Sequence, residues 1–160
     1  MNYSLNRSQK AENFNPSVYN QDYALWIQET IDNLSNRNFK AVELDNLIEE
    51  VKSLGKSEQR ALRSYLTRLF EHLLKRCYVD MSECYQGWEQ EIRDFRNEIS
   101  EILDDSPSLK TYLIEVQERC YQKSLNNIKE DYPKRQFPII FPFDTDIDNL
   151  LNQKYWLQKK

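Results

Sequence analysis

Glu58, Tyr65 and His72 recur every seven residues along "SEQRALRSYLTRLFEH", and Arg68 stands four residues before the histidine. A carboxylate, a phenol, an imidazole and a guanidinium are groups from which proton transfer and anion binding are built. On one helix, however, a spacing of seven residues separates neighbours by ~10.5 Å, beyond hydrogen-bond reach. The line cannot be a self-contained catalytic set, so no residue is assigned a catalytic role. It is a candidate binding stripe, made of Glu58, Tyr65, Arg68 and His72, that needs a group from a neighbouring helix. His72 is the chain's single histidine, and Arg68, Lys75 and Arg76 lie one helical turn to either side of it. Positive neighbours disfavour imidazolium, so the ring should stay neutral unless a carboxylate on another helix compensates. The plainer reading is a packed, hydrogen-bonded histidine bridging two helices.

Other chemistries are excluded by spacing. Di-iron bundles present Glu-x-x-His on two helices, whereas this chain has one histidine, with Leu69 three positions before it. A mixed site of Glu49, Glu50 or Glu58 with His72 has no motif behind it, so no metal and no cofactor is expected. The only glycines are Gly55 and Gly87, which leaves no phosphate-cradling loop and no Gly-flanked nucleophile elbow. Cys77, Cys84 and Cys120 form an odd set without zinc-type spacing, and reduced, buried thiols are expected. The basic series Lys56, Arg60, Arg63, Arg68, Lys75 and Arg76 scatters around the polar side of a helical wheel and reads as a solvated face. With 22 Lys and Arg against 26 Asp and Glu, the net charge of -4 gives no overall attraction to phosphate backbones, which disfavours nucleic acid as a partner.

The elements that position these residues are helical. Two Gly, five Pro and 30% charged residues among 160 suit solvated helices and not turn-rich β structure. Residues 1–16 are polar and aperiodic and read as a disordered leader, followed by a single helical domain over 17–160. Tyr23, Trp26, Ile27, Ile31 and Leu34 predict a first helix to about Ser35, with Asn20 as its cap. Leu44, Leu47, Ile48, Val51, Leu54, Leu62, Leu66, Leu69, Leu73 and Cys77 then form one apolar stripe, with Asp45 placed to accept from the opening amides. Gly55 either ends a helix, with Ser57 capping another, or sits inside it; the unbroken phase favours one long helix with Gly55 as the place for a bend.

Trp88, Ile92, Phe95, Ile99, Ile102 and Leu103 predict another helix ending near Asp104. Ser106 and Pro107 are placed as the cap and first residue of the next, which runs to about Asp131. "YPKRQFPIIFPF" carries three prolines and reads as an extended strap on a hydrophobic surface. Thr145 can open a last short helix holding Ile147, Leu150 and Leu151. The expected fold is all-α: a helical bundle of about five helices, with a long central helix and an extended proline-aromatic C-terminal strap.

The stretches "YNQDYALWIQETIDNL", "LDNLIEEVKSLGKSEQRALRSYLTRLFEHLLK" and "DSPSL" resemble the mostly cyanobacterial domain-of-unknown-function family 29, over residues 18 to about 155. Asp22, Trp26, Glu49, Glu50, Leu54, Gly55, Ser57, Glu58, His72, Trp88, Ser106 and Pro107 match its pattern. The resemblance implies an almost wholly helical bacterial protein and brings no activity with it. No apolar run approaches the ~20 residues needed to span a bilayer, and the first residues lack a hydrophobic signal core, so a cytoplasmic location without membrane contact is expected. The expected function is a non-enzymatic interaction or scaffold module that binds a protein partner or a second copy of itself as a homodimer. The alternative is an all-helical enzyme similar to ribonucleases of the higher-eukaryote and prokaryote nucleotide-binding family, using Arg68 and His72. That family leaves four to six residues between its Arg and His; here there are three.

Overall fold

The computed structural model describes residues 17–157, so the leader expected over residues 1–16 lies outside the described residues. Among the described residues six α-helices follow one another: α1 (Val18–Gln21), α2 (Tyr23–Ser35), α3 (Leu44–Tyr78), α4 (Tyr85–Asp105), α5 (Leu109–Asp131) and α6 (Ile147–Asn152). Short 3-10 turns occupy Phe39–Ala41, Ser82–Cys84 and Tyr155–Leu157, and no strand occurs among the described residues. The fold is all-α, as the composition required. The chain divides into two compact units between Lys52 and Ser53.

In the first unit, Asp22 opens α2 by accepting from the Leu25 amide at 3.0 Å. Asn20, the expected cap, instead lies inside α1, where its amide donates to the Ser17 carbonyl. Asp is an equally good cap, and the one-turn helix before it absorbs Asn20. Trp26 is buried under Tyr19 and Tyr23, with ring centroids at 4.9 and 5.7 Å. Both phenols donate to the Glu50 carboxylate, at 2.6 and 2.9 Å, and that carboxylate holds both above the usual phenol range.

In the second unit, α4 runs antiparallel to α3 and α5 runs parallel to it. The partners show this directly. Ascending α3 through Glu58, Tyr65, His72 and Arg76 descends α4 through Ser106, Glu98, Glu91 and Glu89. Ascending α3 from Arg63 to Glu71 ascends α5 from Tyr112 to Asn127. Leu62 and Leu66 are fully buried, and from Leu69 to Leu74 every side chain of α3 is buried, so neighbours surround this stretch of helix. The strap crosses at Phe70. Phe141 meets its ring edge-on at 5.2 Å, Phe143 stacks at 6.0 Å, and Tyr121 from α5 closes the cluster at 5.9 Å. The buried Tyr121 hydroxyl donates to the Pro138 carbonyl, and Gln117 donates to the Thr145 carbonyl at 3.0 Å, which fastens both ends of the strap to α5.

Three expected boundaries move. Ser106 closes α4, its amide donating to Ile102, instead of opening α5; Pro107 and Ser108 form a turn and α5 begins at Leu109. Asp146, not Thr145, caps α6 by accepting from the Asn149 amide at 2.9 Å. Asp45 falls within the first turn of α3, where a carboxylate still favours the helix dipole. The C-terminal end of α6 is held by the buried Arg96 of α4, whose Nη2 donates to the carbonyls of Leu150 and Gln153 at 2.9 and 2.7 Å. Burial lowers this guanidinium from its ordinary value.

Gly55 lies inside α3 at an exposed position, and a β-carbon there would touch nothing within 4 Å. Gly55→Ala should therefore raise stability by about 1 kcal/mol in urea denaturation; a loss would show that the helix needs glycine as a bend. Arg96→Leu leaves the buried Leu150 carbonyl and the half-buried Gln153 carbonyl without their donor and should cost ~1–3 kcal/mol in the same measurement.

Candidate functional site

The seven-residue line is the seam between α3 and α4. Glu58 accepts from the Ser106 hydroxyl at 3.3 Å. Tyr65 hydrogen-bonds the Glu98 carboxylate, which raises its phenol above the ordinary value, and packs near Phe95 at 6.4 Å. His72 is buried against Phe95, with centroids 5.3 Å apart. Three of the four candidate residues thus fall on one face, each answered by an α4 group that the sequence could not identify.

His72 occupies a defined electrostatic position. Its Nδ1 lies 2.8 Å from the Arg68 carbonyl, which can only accept, so this nitrogen carries the proton. At Nε2 two groups of opposite charge meet: the Lys75 ammonium at 2.9 Å and the Glu91 carboxylate. The neutral ring accepts from Lys75; the protonated ring would donate to Glu91. Burial, opposed by the Arg68 carbonyl and reinforced by the Lys75 charge, holds the imidazole below its ordinary value. Burial likewise lowers Lys75. Among the described residues, the hydrogen-bond and ion-pair partners of His72 are Arg68, Lys75 and Glu91, with no hydroxyl or thiol nucleophile on the ring. The site can hold or exchange a proton with a half-exposed carboxylate.

Arg68 turns the other way. Its guanidinium pairs with Glu71 at 3.0 Å, and the second Glu71 oxygen accepts from Asn127 of α5 at 2.6 Å. This buried carboxylate forms part of a cleft of about 380 Å³ between α3 and α5. Arg60, Arg63 and Arg68 line it from α3, and Arg119 and Lys123 from α5. Half of the basic series thus converges on one cavity where a solvated, scattered face was expected. The wheel of a single helix could not reveal this, because α5 supplies the second wall. The readable signal was Arg119 and Lys123 one turn apart on α5. His72 is not among the residues lining the cleft.

The remaining candidate groups are committed elsewhere. Glu49 pairs with Lys52 at 2.9 Å, and Glu50 with the two tyrosines. No cluster of three or more His, Cys, Asp and Glu side chains suited to a metal occurs among the described residues. Cys120 is buried, and burial raises its thiol; Cys77 and Cys84, expected to be buried, are only half-buried. No described helix is long and apolar enough to cross a membrane.

Because the chain has one histidine, its ring protons can be followed alone by NMR. Its titration midpoint should lie below 6.5, rise in Lys75→Met and fall in Glu91→Gln. A depressed folded value means that the unfolded chain binds the proton more readily, so stability contributed by the neutral ring is lost as pH falls below 6.5. A midpoint above that of a denatured control would contradict the burial that the structure describes.

No curated protein and no solved structure matches the chain. Residues 18–156 match the family described as "Domain of unknown function DUF29". The match spans nearly the whole chain, and the chain belongs to that family.

Proposed function

We propose that this protein is a non-enzymatic interaction module whose partner is a second copy of itself, joined through the first unit. The observation that supports this is an uncovered apolar surface. Ile27, Ile31 and Leu34 on α2 are 38–52% exposed, and Leu44, Ile48 and Val51 on α3 are 42–60% exposed. All six belong to the apolar patterns from which the two helices are read. Their spacing of three and four residues makes each set one stripe along its helix, the arrangement that packs helix against helix.

Area favours a like partner. These six side chains leave on the order of 500 Å² uncovered per chain, and two copies together bury about 1,000 Å², where specific interfaces begin. The largest apolar patch on a monomer is of this order and is often a site of interaction. A two-fold pairing of helical hairpins covers both stripes with the same chemistry they present. The alternative of a ribonuclease-like enzyme needs Arg68 and His72 on one substrate, yet the guanidinium lines the α5 cleft while the ring faces Glu91 on α4. That separation favours binding over cleavage.

Sedimentation velocity over a concentration series is the test. The native chain should sediment at twice its monomer mass, and Ile31→Lys with Val51→Lys should yield a monomer of unchanged helical content. A native chain that stays monomeric throughout would assign the surface to a different protein and overturn self-association, as would a dimer that the two lysines leave intact.

A further inference from the structure

We propose that the cleft between α3 and α5 binds a compact polyanion carrying a diphosphate group. The first observation is charge. Five cations line one concavity against a single carboxylate, in a chain whose net charge is -4. The carboxylate is already spent: Glu71 pairs with Arg68 and accepts from Asn127. Arg63 donates to the neutral Tyr112 hydroxyl. Arg60, Arg119 and Lys123 make no ion pair or hydrogen bond among the described residues, although carboxylates outnumber cations in the chain. Like charges converging without counter-charge repel one another, and an anion from outside resolves that repulsion.

The second observation is preorganisation. Tyr112 fixes the Arg63 guanidinium and Glu71 fixes that of Arg68, while Asn127 fixes Glu71 from across the cleft. Two guanidinium forks oriented in this way match phosphate oxygens in pairs. The Ser64 hydroxyl adds a neutral donor in the same wall. Cys120 stays a neutral thiol because burial raises it, so it places no competing negative charge beside the cations.

Size and lining narrow the ligand. A volume of about 380 Å³ is at the small end of ligand sites. No aromatic ring lines the cleft, so a base has nothing to stack on and the diphosphate must carry the recognition. Three cations lacking a counter-charge call for more than one phosphate charge. An extended nucleic-acid backbone fits less well, since the positive charge gathers in one cavity and the whole chain is acidic.

Isothermal titration calorimetry of the full chain with sodium pyrophosphate tests this. We expect saturable binding that weakens as salt rises, with inorganic phosphate at least tenfold weaker. Arg119→Gln with Lys123→Gln, two exposed positions on α5, should weaken pyrophosphate at least tenfold with helicity unchanged. Lys134→Gln with Arg135→Gln, which lie outside the cleft, should leave it as it was. ADP should bind within a few-fold of pyrophosphate, since nothing in the lining reads the nucleoside. Absence of heat at millimolar pyrophosphate, or equal loss in both double variants, would overturn the site. An RNA oligonucleotide binding more tightly than pyrophosphate would overturn its compact-ligand character, and ADP binding a hundredfold tighter would overturn its blindness to the base.

Discussion

A helix buried on every side has nowhere to send a polar group except into a neighbour, and α3 is in that position from Leu69 to Leu74. Two polar residues fall inside this stretch, Glu71 and His72. An unpaired carboxylate there would be expensive, and so would an imidazole with unmet nitrogens. Glu71 is therefore answered by α5 and by its own Arg68, and His72 by α4 and the Arg68 carbonyl. These adjacent positions point about a quarter turn apart, so satisfying both fixes the placement of two helices around the third. The surrounding leucines supply most of the burial; Glu71 and His72 select the register in which that burial is compatible with polar satisfaction.

The same two residues divide the chemistry of the second unit. One side of α3 becomes an antiparallel polar seam in which Tyr65 and His72 each meet an α4 side chain and Glu58 meets the residue that caps α4, Ser106. The other becomes a cleft with a buried carboxylate and an excess of guanidinium around it. Arg68 belongs to both sides, with its backbone holding the imidazole and its side chain entering the cleft.

Periodicity made the long helix legible, because the apolar stripe keeps its phase through Gly55 and an exposed glycine alone does not break a helix supported by both flanks. It also located the end of α5 at Asp131 and the proline-rich strap, where missing amide hydrogens rule out helix. Caps were less legible, since several Asp, Asn, Ser and Thr compete within a few residues and the winner depends on neighbours far along the chain. Ser106 is an instance: its hydroxyl is taken by Glu58, 48 positions earlier. The apolar pattern of α2 and of the first turns of α3 reports which face is oily and is silent on whether anything covers it: Ile31 and Val51 fit the pattern and are 52% and 60% exposed. The cleft escaped notice for a related reason. "LFEHLL" reads as core, which hid Glu71, and no one-helix projection brings Arg119 and Lys123 to Arg60 and Arg63.

The strap carries a consequence for synthesis on the ribosome. Phe70 and Tyr121 are translated well before Phe141 and Phe143, which supply the rings lying against them. A nascent chain that has extruded the first five helices therefore holds an unroofed aromatic face until the proline segment emerges. Until then that face is a target for chaperones and for other unfinished chains.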